Sequence, residues 1–203
     1  MVDLRRRILE TSLELIDKKG LDALSMREVS RRLNVTHGAP YYHFKNRSSI
    51  VAALVEEGLG ELTAQLEAAA AAHADPARAF EACGRAYVAF AVEHPASFRL
   101  MFRPELTGKA NRGAIERASA KSFGVLVAVV ARCQTAGVCA ELDAQALALT
   151  GWSTAHGLAS LVVDGPMASK GDPKQLAQTV GATLGALLVR GSAAKPRTRR
   201  RQS

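Results

Sequence analysis

Long hydrophobic runs are missing from this sequence. The longest apolar stretches, such as residues 125–131, fall far short of the roughly 18 to 20 residues that cross a bilayer, so neither a membrane span nor a membrane partner is expected. Nor does the beginning, where Arg5, Arg6 and Arg7 lead straight into a helical pattern, hold the unbroken apolar core of a secretion signal; a cytoplasmic location is the expectation. Cysteine is scarce. Cys83, Cys133 and Cys139 are odd in number, lack CxxC spacing and have no His/Cys cluster, so neither a disulfide framework nor a metal site is indicated. They read as buried thiols, with a redox pair of Cys133 and Cys139 as the other reading. HExxH, GxSxG, P-loop and dinucleotide fingerprints are absent, and no enzyme activity or cofactor is expected. A helical enzyme using Glu93, His94 and His156 for acid and base chemistry stays as a rival with no motif behind it. Aromatic residues, at 5%, and strand signals are sparse, whereas alanine is abundant throughout. Alanine loses no side-chain entropy in a helix, so an all-α fold is expected.

What the sequence holds in excess is positive charge, +8 overall, and it is unevenly placed. Residues 1–50 carry 10 Lys/Arg and 6 Asp/Glu, residues 51–194 carry 12 and 13, and residues 195–203 carry 5 and 0. Basic ends around a near-neutral middle point to a polyanion partner for the ends and a different task for the middle. A nonspecific DNA-packaging protein would also have basic ends, but packaging needs little beyond charge and leaves the large neutral middle without a purpose.

Ile8, Leu9, Leu13, Leu15 and Ile16 recur at helical spacing through residues 5–19, and Gly20 stands where a C-terminal cap belongs. Ser25 and Glu28 form a capping box, and Leu24 and Val29 a hydrophobic staple, so a second helix starts here with Met26, Val29 and Leu33 as its apolar face. Asn34 and Val35 then interrupt the pattern for about the length of a helix-turn-helix turn. Thr36 is read as the N-cap of a short third helix over 37–44, and Asn46 as the cap of a fourth carrying Ile50, Leu54, Leu59 and Leu62. Further helices are predicted near 77–93, 96–102, 112–136, 143–163 and 173–189, each bounded by proline or glycine. Residues 192–203 have no apolar periodicity and read as a disordered basic tail.

The short third helix presents Thr36, His37, Tyr41, Tyr42 and His43 with little aliphatic bulk. That composition suits a helix lying in the major groove, its first residues against base edges while neighbouring groups clamp phosphates. Gly38 and Ala39 would let the backbone approach, and the Ala39 methyl could meet a thymine methyl. Lys45 and Arg47 are placed to hold phosphate, and Arg27 of the second helix completes the candidate DNA-binding set. Packing readings stand beside these: Phe44 as core, Tyr41 as a half-buried residue whose hydroxyl alone reaches phosphate, His43 as simply solvated, and Arg5, Arg6 and Arg7 as ordinary surface charge. The run from Ser25 to Ile50 closely resembles the TetR-family DNA-binding signature, above all in Tyr41, His43, Phe44 and Lys45. The resemblance implies that Tyr41, Tyr42, His43 and the basic residues after Phe44 contact DNA. Three residues depart from it: Asn34 stands where glycine is usual, Arg47-Ser48 where Lys-Glu is common, and Pro40 where an aliphatic residue is commoner. Lacking an N–H, Pro40 predicts a distorted first turn.

The segment 87–102 and the later Trp152-Ser-Thr-Ala-His-Gly-Leu158 resemble a C-terminal domain type of the same family, marked by a Trp-x-x-x-His-Gly motif. Trp152 and His156 are four apart and face one way on a helix. With Phe90, Phe98, Met101, Phe102 and Phe123 they form a candidate apolar pocket carrying one or two polar groups, although aromatics at helical spacing also serve as plain core. Leu158, Leu161, Val162, Val180, Leu184, Leu187 and Leu188 lie on the last two helices beside Gly181 and Gly185, whose spacing allows close helix approach. Spacing alone does not separate a dimer face from an internal core; the resemblance implies that these helices build a homodimer. The expected organisation is a three-helix helix-turn-helix domain over 1–60, a helical-bundle ligand-binding and dimerisation domain over 61–191, and the tail. The expected function is a regulator, a repressor released from a palindromic double-stranded DNA operator by a small, largely apolar effector.

Overall fold

The carboxylate of Asp3 accepts the Arg5 N–H at 3.1 Å and starts the first helix, α1, Leu4–Lys19. Its apolar positions Ile8, Leu9, Leu15 and Ile16 are buried, and Gly20, at φ 79°, ends it by donating its N–H to the Ile16 carbonyl at 2.8 Å. The computed structural model describes residues 3–167 and 171–193. Among these, eight α-helices and four 3-10 turns follow one another without a strand, and the all-α expectation holds.

Two units divide the chain. The first comprises Met1–Ala64 and Phe90–Ser122. In it, α2, Met26–Leu33, begins at Ser25, whose Oγ accepts the Glu28 N–H at 3.1 Å. Only half of the predicted capping box forms, because the Glu28 carboxylate is held by Arg31 and Arg32 instead. Both staple residues, Leu24 and Val29, are buried. Asn34 closes α2 in the left-handed region at φ 53°, which explains why asparagine is accepted where the family signature prefers glycine. The long α3, Arg47–Ala71, starts at Asn46: its Oδ1 accepts the Ser49 N–H at 3.0 Å, and Ser49 Oγ accepts the Asn46 N–H at 3.1 Å. Ile8, Leu15, Val29 and Ile50 are almost wholly removed from water, each worth about 1.5–3 kcal/mol on burial. Onto this core pack Ala96, Leu100 and Met101 from α5, Pro95–Met101, together with Leu106 of the following loop and Ile115 and Ala118 of α6, Arg112–Thr135.

The second unit comprises Gln65–Ala89 and Phe123–Ser203. Asp75 caps α4, Pro76–Glu93, accepting the Ala77 N–H at 2.9 Å. From α6, Arg132 donates to the Ala70 and His73 carbonyls at 3.2 and 3.0 Å, satisfying acceptors that the end of α3 leaves open. Asp143 caps α7, Ala144–Val163, which buries Ala148, Gly151, Ala155, Ala159 and Val162 at helical period. Small residues on that face let helices approach: a Cβ at Gly151 would collide with the Phe80 ring. Gly181 and Gly185 of α8, Pro173–Ala193, face Glu81 of α4, so their close approach is internal to this unit. By length and composition alone, α7 is apolar enough to cross a membrane, a property of the whole helix and not of any unbroken apolar run within it. Of the predicted tail, residues 194–203 lie outside the described residues.

Candidate nucleic-acid interface

Between α2 and α3 the chain does not form the α-helix predicted over 37–44. It forms a 3-10 turn, Ala39–Tyr42, and Pro40 is the reason. Ala39 N–H donates to the Thr36 carbonyl at 3.0 Å and Tyr41 N–H to Gly38 at 3.1 Å, while Pro40 has no N–H to place between them. Pro40 is fully buried, and its carbonyl accepts both the His43 and Phe44 N–H groups, at 3.1 and 2.9 Å. Phe44, 4% exposed, is the second anchor, as the packing reading expected. Thr36 does not cap the turn with its side chain; it supplies the carbonyl, and Gly38 precedes the turn without a side-chain acceptor.

Pinned by these two buried residues, the rest of the segment faces outward. Tyr42 is 89% exposed and Tyr41 48%, and Thr36, His37, Gly38, His43 and Lys45 are exposed as well. The His37 and Tyr41 rings meet edge to face at 5.8 Å, so they stand on one side of the turn. Gly38 has an ordinary helical backbone and nothing within 4 Å of a built Cβ; its smallness leaves open space instead of relieving strain. Arg27 is exposed on α2. Beside it, hydrogen bonding from Arg31, reinforced by Arg32, holds the Glu28 carboxyl down to about 2. Arg47 is placed differently from the rest: its Nη2 donates to the Leu21 carbonyl at 2.6 Å, tying α3 to the turn after α1. The arginines of α1 are likewise engaged within the fold, Arg5 with Glu57 and the Phe44 ring, Arg6 with Glu10, and Arg7 with the Leu33 carbonyl.

The candidate effector residues fall in both units. In the first lie Phe90, wholly buried and 5.1 Å from His94, Met101 against Gly58, and Phe98 and Phe102 edge to face at 5.3 Å. In the second lie Phe123, Trp152 and His156. Phe123 and Trp152 pack at 6.0 Å, and Trp152 and His156 at 6.1 Å. A residue passed over in the sequence joins them: Tyr87 Oη accepts the Trp152 Nε1–H at 3.2 Å and lies 3.0 Å from His156 Nδ1. One tyrosine oxygen thus joins the indole of Trp152 and the imidazole of His156. Burial pushes the Tyr87 hydroxyl up to about 12 and lowers His156, keeping both neutral. A buried tyrosine needs a hydrogen-bond partner, and that requirement was the sequence signal for Tyr87. The same unit holds a separate apolar cavity of about 20 Å³, room for about one water, lined by Phe80, Val130, Cys133, Val138, Cys139 and Leu147 among others. Cys133 and Cys139 are buried there, Cys83 is buried beneath the Leu66 carbonyl, and among the described residues no disulfide forms.

A family model described as bacterial regulatory proteins, tetR family, matches residues 8–54, and one described as tetracyclin repressor-like, C-terminal domain, matches 80–184. The chain belongs to the tetR family. The solved structure of a protein with unknown function from Rhodococcus sp. RHA1 is 30% identical with a TM-score of 0.83, covering 93% of this chain and 97% of that one. The HTH-type transcriptional regulator AcrR of Shigella flexneri is 35% identical over 67 residues, 32% of this chain and 31% of that protein. The tetracycline repressor protein class C of Escherichia coli is 38% identical over 52 residues, 26% of this chain and 24% of that protein. The chain thus spans about a third or less of these curated relatives' lengths. TetR-family proteins are transcriptional regulators, and the helix-turn-helix match coincides with the segment built around Pro40 and Phe44.

Proposed function

We propose that this chain is a DNA-binding transcriptional regulator, a repressor whose dimer leaves a palindromic operator when a small, largely apolar effector binds. The observation that carries the reading is the exposed strip from Thr36 to Lys45, polar and aromatic, raised on two buried anchors. His37 and Thr36, at the leading edge with Gly38 and Ala39, are the base readers; Tyr41, Tyr42, His43, Lys45 and Arg27 position the strip on phosphates. Arg47 belongs with these phosphate contacts: one N–H goes to Leu21, and the remaining donors of its guanidinium can meet phosphate. The reading domain is 1–60, and residues 61–191 sense and dimerise.

Dimerisation is supported by α7, where Leu149 and Leu161 are exposed on a helix without an Asp, Glu, Lys or Arg. The apolar composition of α7 is accounted for by a second copy of the chain, with no membrane required. The Trp-x-x-x-His-Gly motif is read as the polar side of the effector site, with the Tyr87 hydroxyl holding Trp152 and His156 together. A regulator of this kind works on chromosomal DNA in the cytoplasm and performs no catalysis.

Selection from a random duplex library followed by footprinting tests the reading. A bounded, roughly palindromic site is the expected result. His37→Ala should then change preference at one base pair by about 1–3 kcal/mol, whereas Lys45→Ala should weaken selected and random DNA alike. Sequence-blind coating of DNA would return the packaging alternative, and equal losses on both DNAs for both variants would remove His37 from base reading.

A further inference from the structure

The loop between α5 and α6 is built onto the reading unit. Gly108, in left-handed backbone at φ 76°, lies so close to the start of α3 that a Cβ there would sit 3.0 Å from Ser48 Oγ. Ser48 in turn donates to Asn46 Oδ1 at 2.8 Å, one residue beyond Lys45. The loop is held on its own side as well. Thr107 is 3% exposed with its hydroxyl donating to the Pro104 carbonyl, Asn111 Nδ2 donates to the Thr107 carbonyl at 2.8 Å, and Leu106 packs on the core.

Cations are concentrated on this element. Residues 103–121 hold five Lys/Arg and two Asp/Glu, so the basic charge of the otherwise acidic middle of the chain is gathered here. One of the two acids, Glu105, is taken by Arg103. Lys109, directly after Gly108, and Arg112, at the first turn of α6, are exposed, and among the described residues no carboxylate pairs with either. A fixed loop with unpaired cations, held against Ser48 three residues after exposed Lys45, is complementary to a row of phosphates.

We propose that Lys109 and Arg112 form a second phosphate clamp, extending the DNA contact from the reading strip onto the flanking phosphodiester backbone. The proposal rests on the DNA-binding reading above. It places part of the grip on DNA in a loop distant in sequence from the helix-turn-helix and continuous with α5 and α6.

Phosphate contacts are blind to sequence, so the probe is a fluorescent duplex of random sequence, titrated with the full-length protein from about 50 to 200 mM salt. Each lost contact should flatten the plot of log affinity against log salt by about 0.9. Lys109→Ala/Arg112→Ala removes two per protomer, a change of about 3.6 for a dimer, with weaker binding at every salt concentration. Lys109→Arg should keep the wild-type slope, and Arg78→Ala, an exposed cation of the second unit, should leave it unchanged. Folding of each variant is checked by its thermal melt. If the double variant keeps both slope and affinity while Lys45→Ala loses both, the clamp is overturned and DNA binding stands. If the wild-type protein shows no salt-dependent binding, both fall together.

Discussion

Replacing Gly151 by alanine sets two effects of similar size against each other. In the interior of α7 the change should gain about 0.8–1.0 kcal/mol from helix propensity. Against this, the new methyl would lie 2.9 Å from Phe80 Cε2 and closer still to Cζ. Phe80 is 7% exposed, and a ring on a packed helix cannot swing aside as a chain end can. The neighbouring cavity, about 20 Å³, offers too little room for the ring to retreat by a methyl's width. Overpacking of this kind costs about 1–3 kcal/mol, so Gly151→Ala should come out neutral to destabilised by about 2 kcal/mol. Gly60 is the control: exposed in α3 with nothing within 4 Å of a built Cβ, it should show the propensity gain alone. Gly185→Ala should fall between, because it meets the end of the Glu81 side chain, which can move at the cost of a weak contact with Arg85. Thermal unfolding at one fixed protein concentration reads the order, at about 2–4 °C per kcal/mol for a chain of this size. Adding Phe80→Leu should rescue Gly151→Ala by more than additivity allows. A Gly151→Ala protein as stable as Gly60→Ala would refute the packing of Phe80 against α7.

At the turn after α2, Asn34→Ala should lower the urea midpoint by the equivalent of about 1–2 kcal/mol while Asn34→Gly stays near wild type, because only the first puts a Cβ-strained residue at φ 53°. Stability should fall in two acid windows. His156, lowered by burial, contributes stability that is full above its ordinary 6.5 and lost as pH falls through its folded value, since the buried site disfavours the charged imidazolium. Glu28 contributes stability that is full above 4.5 and lost as pH falls through about 2, and Glu28→Gln should flatten that second window alone in a pH series of melts.

Most helix boundaries were legible because the devices that set them are local. Ser25, Asn46 and Asp143 each satisfy a backbone N–H three residues on, and Gly20 closes its own helix, so a short window of sequence contains all the partners. Core positions such as Ile8, Val29, Ile50 and Phe44 followed from the same local period. Pro40 was a partial success: its missing N–H announced a distorted turn, but whether the segment would stay α-helical depended on the pocket that buries the ring.

The remainder was decided by residues far apart in the chain. Gly181 and Gly185 carried a spacing equally suited to a partner chain or to α4, and only the position of Glu81 shows that they serve α4. Tyr87 meets His156 across 69 residues and Trp152 across 65, so no periodicity could join them. Arg47 carried the charge of a phosphate ligand, and the bond from its Nη2 to the Leu21 carbonyl 26 residues earlier was not legible beside it. In the sequence, Lys109 and Arg112 disappear into a middle segment whose charge nearly cancels; the fold sets Gly108 of their loop against Ser48, three residues after the exposed Lys45. The sequence by itself determined which segments are helical and which strip could read DNA, because those properties come from neighbours within a turn or two. Only the tertiary structure decided which faces meet and which cations stay unpaired, because those depend on contacts whose partners lie tens of residues away.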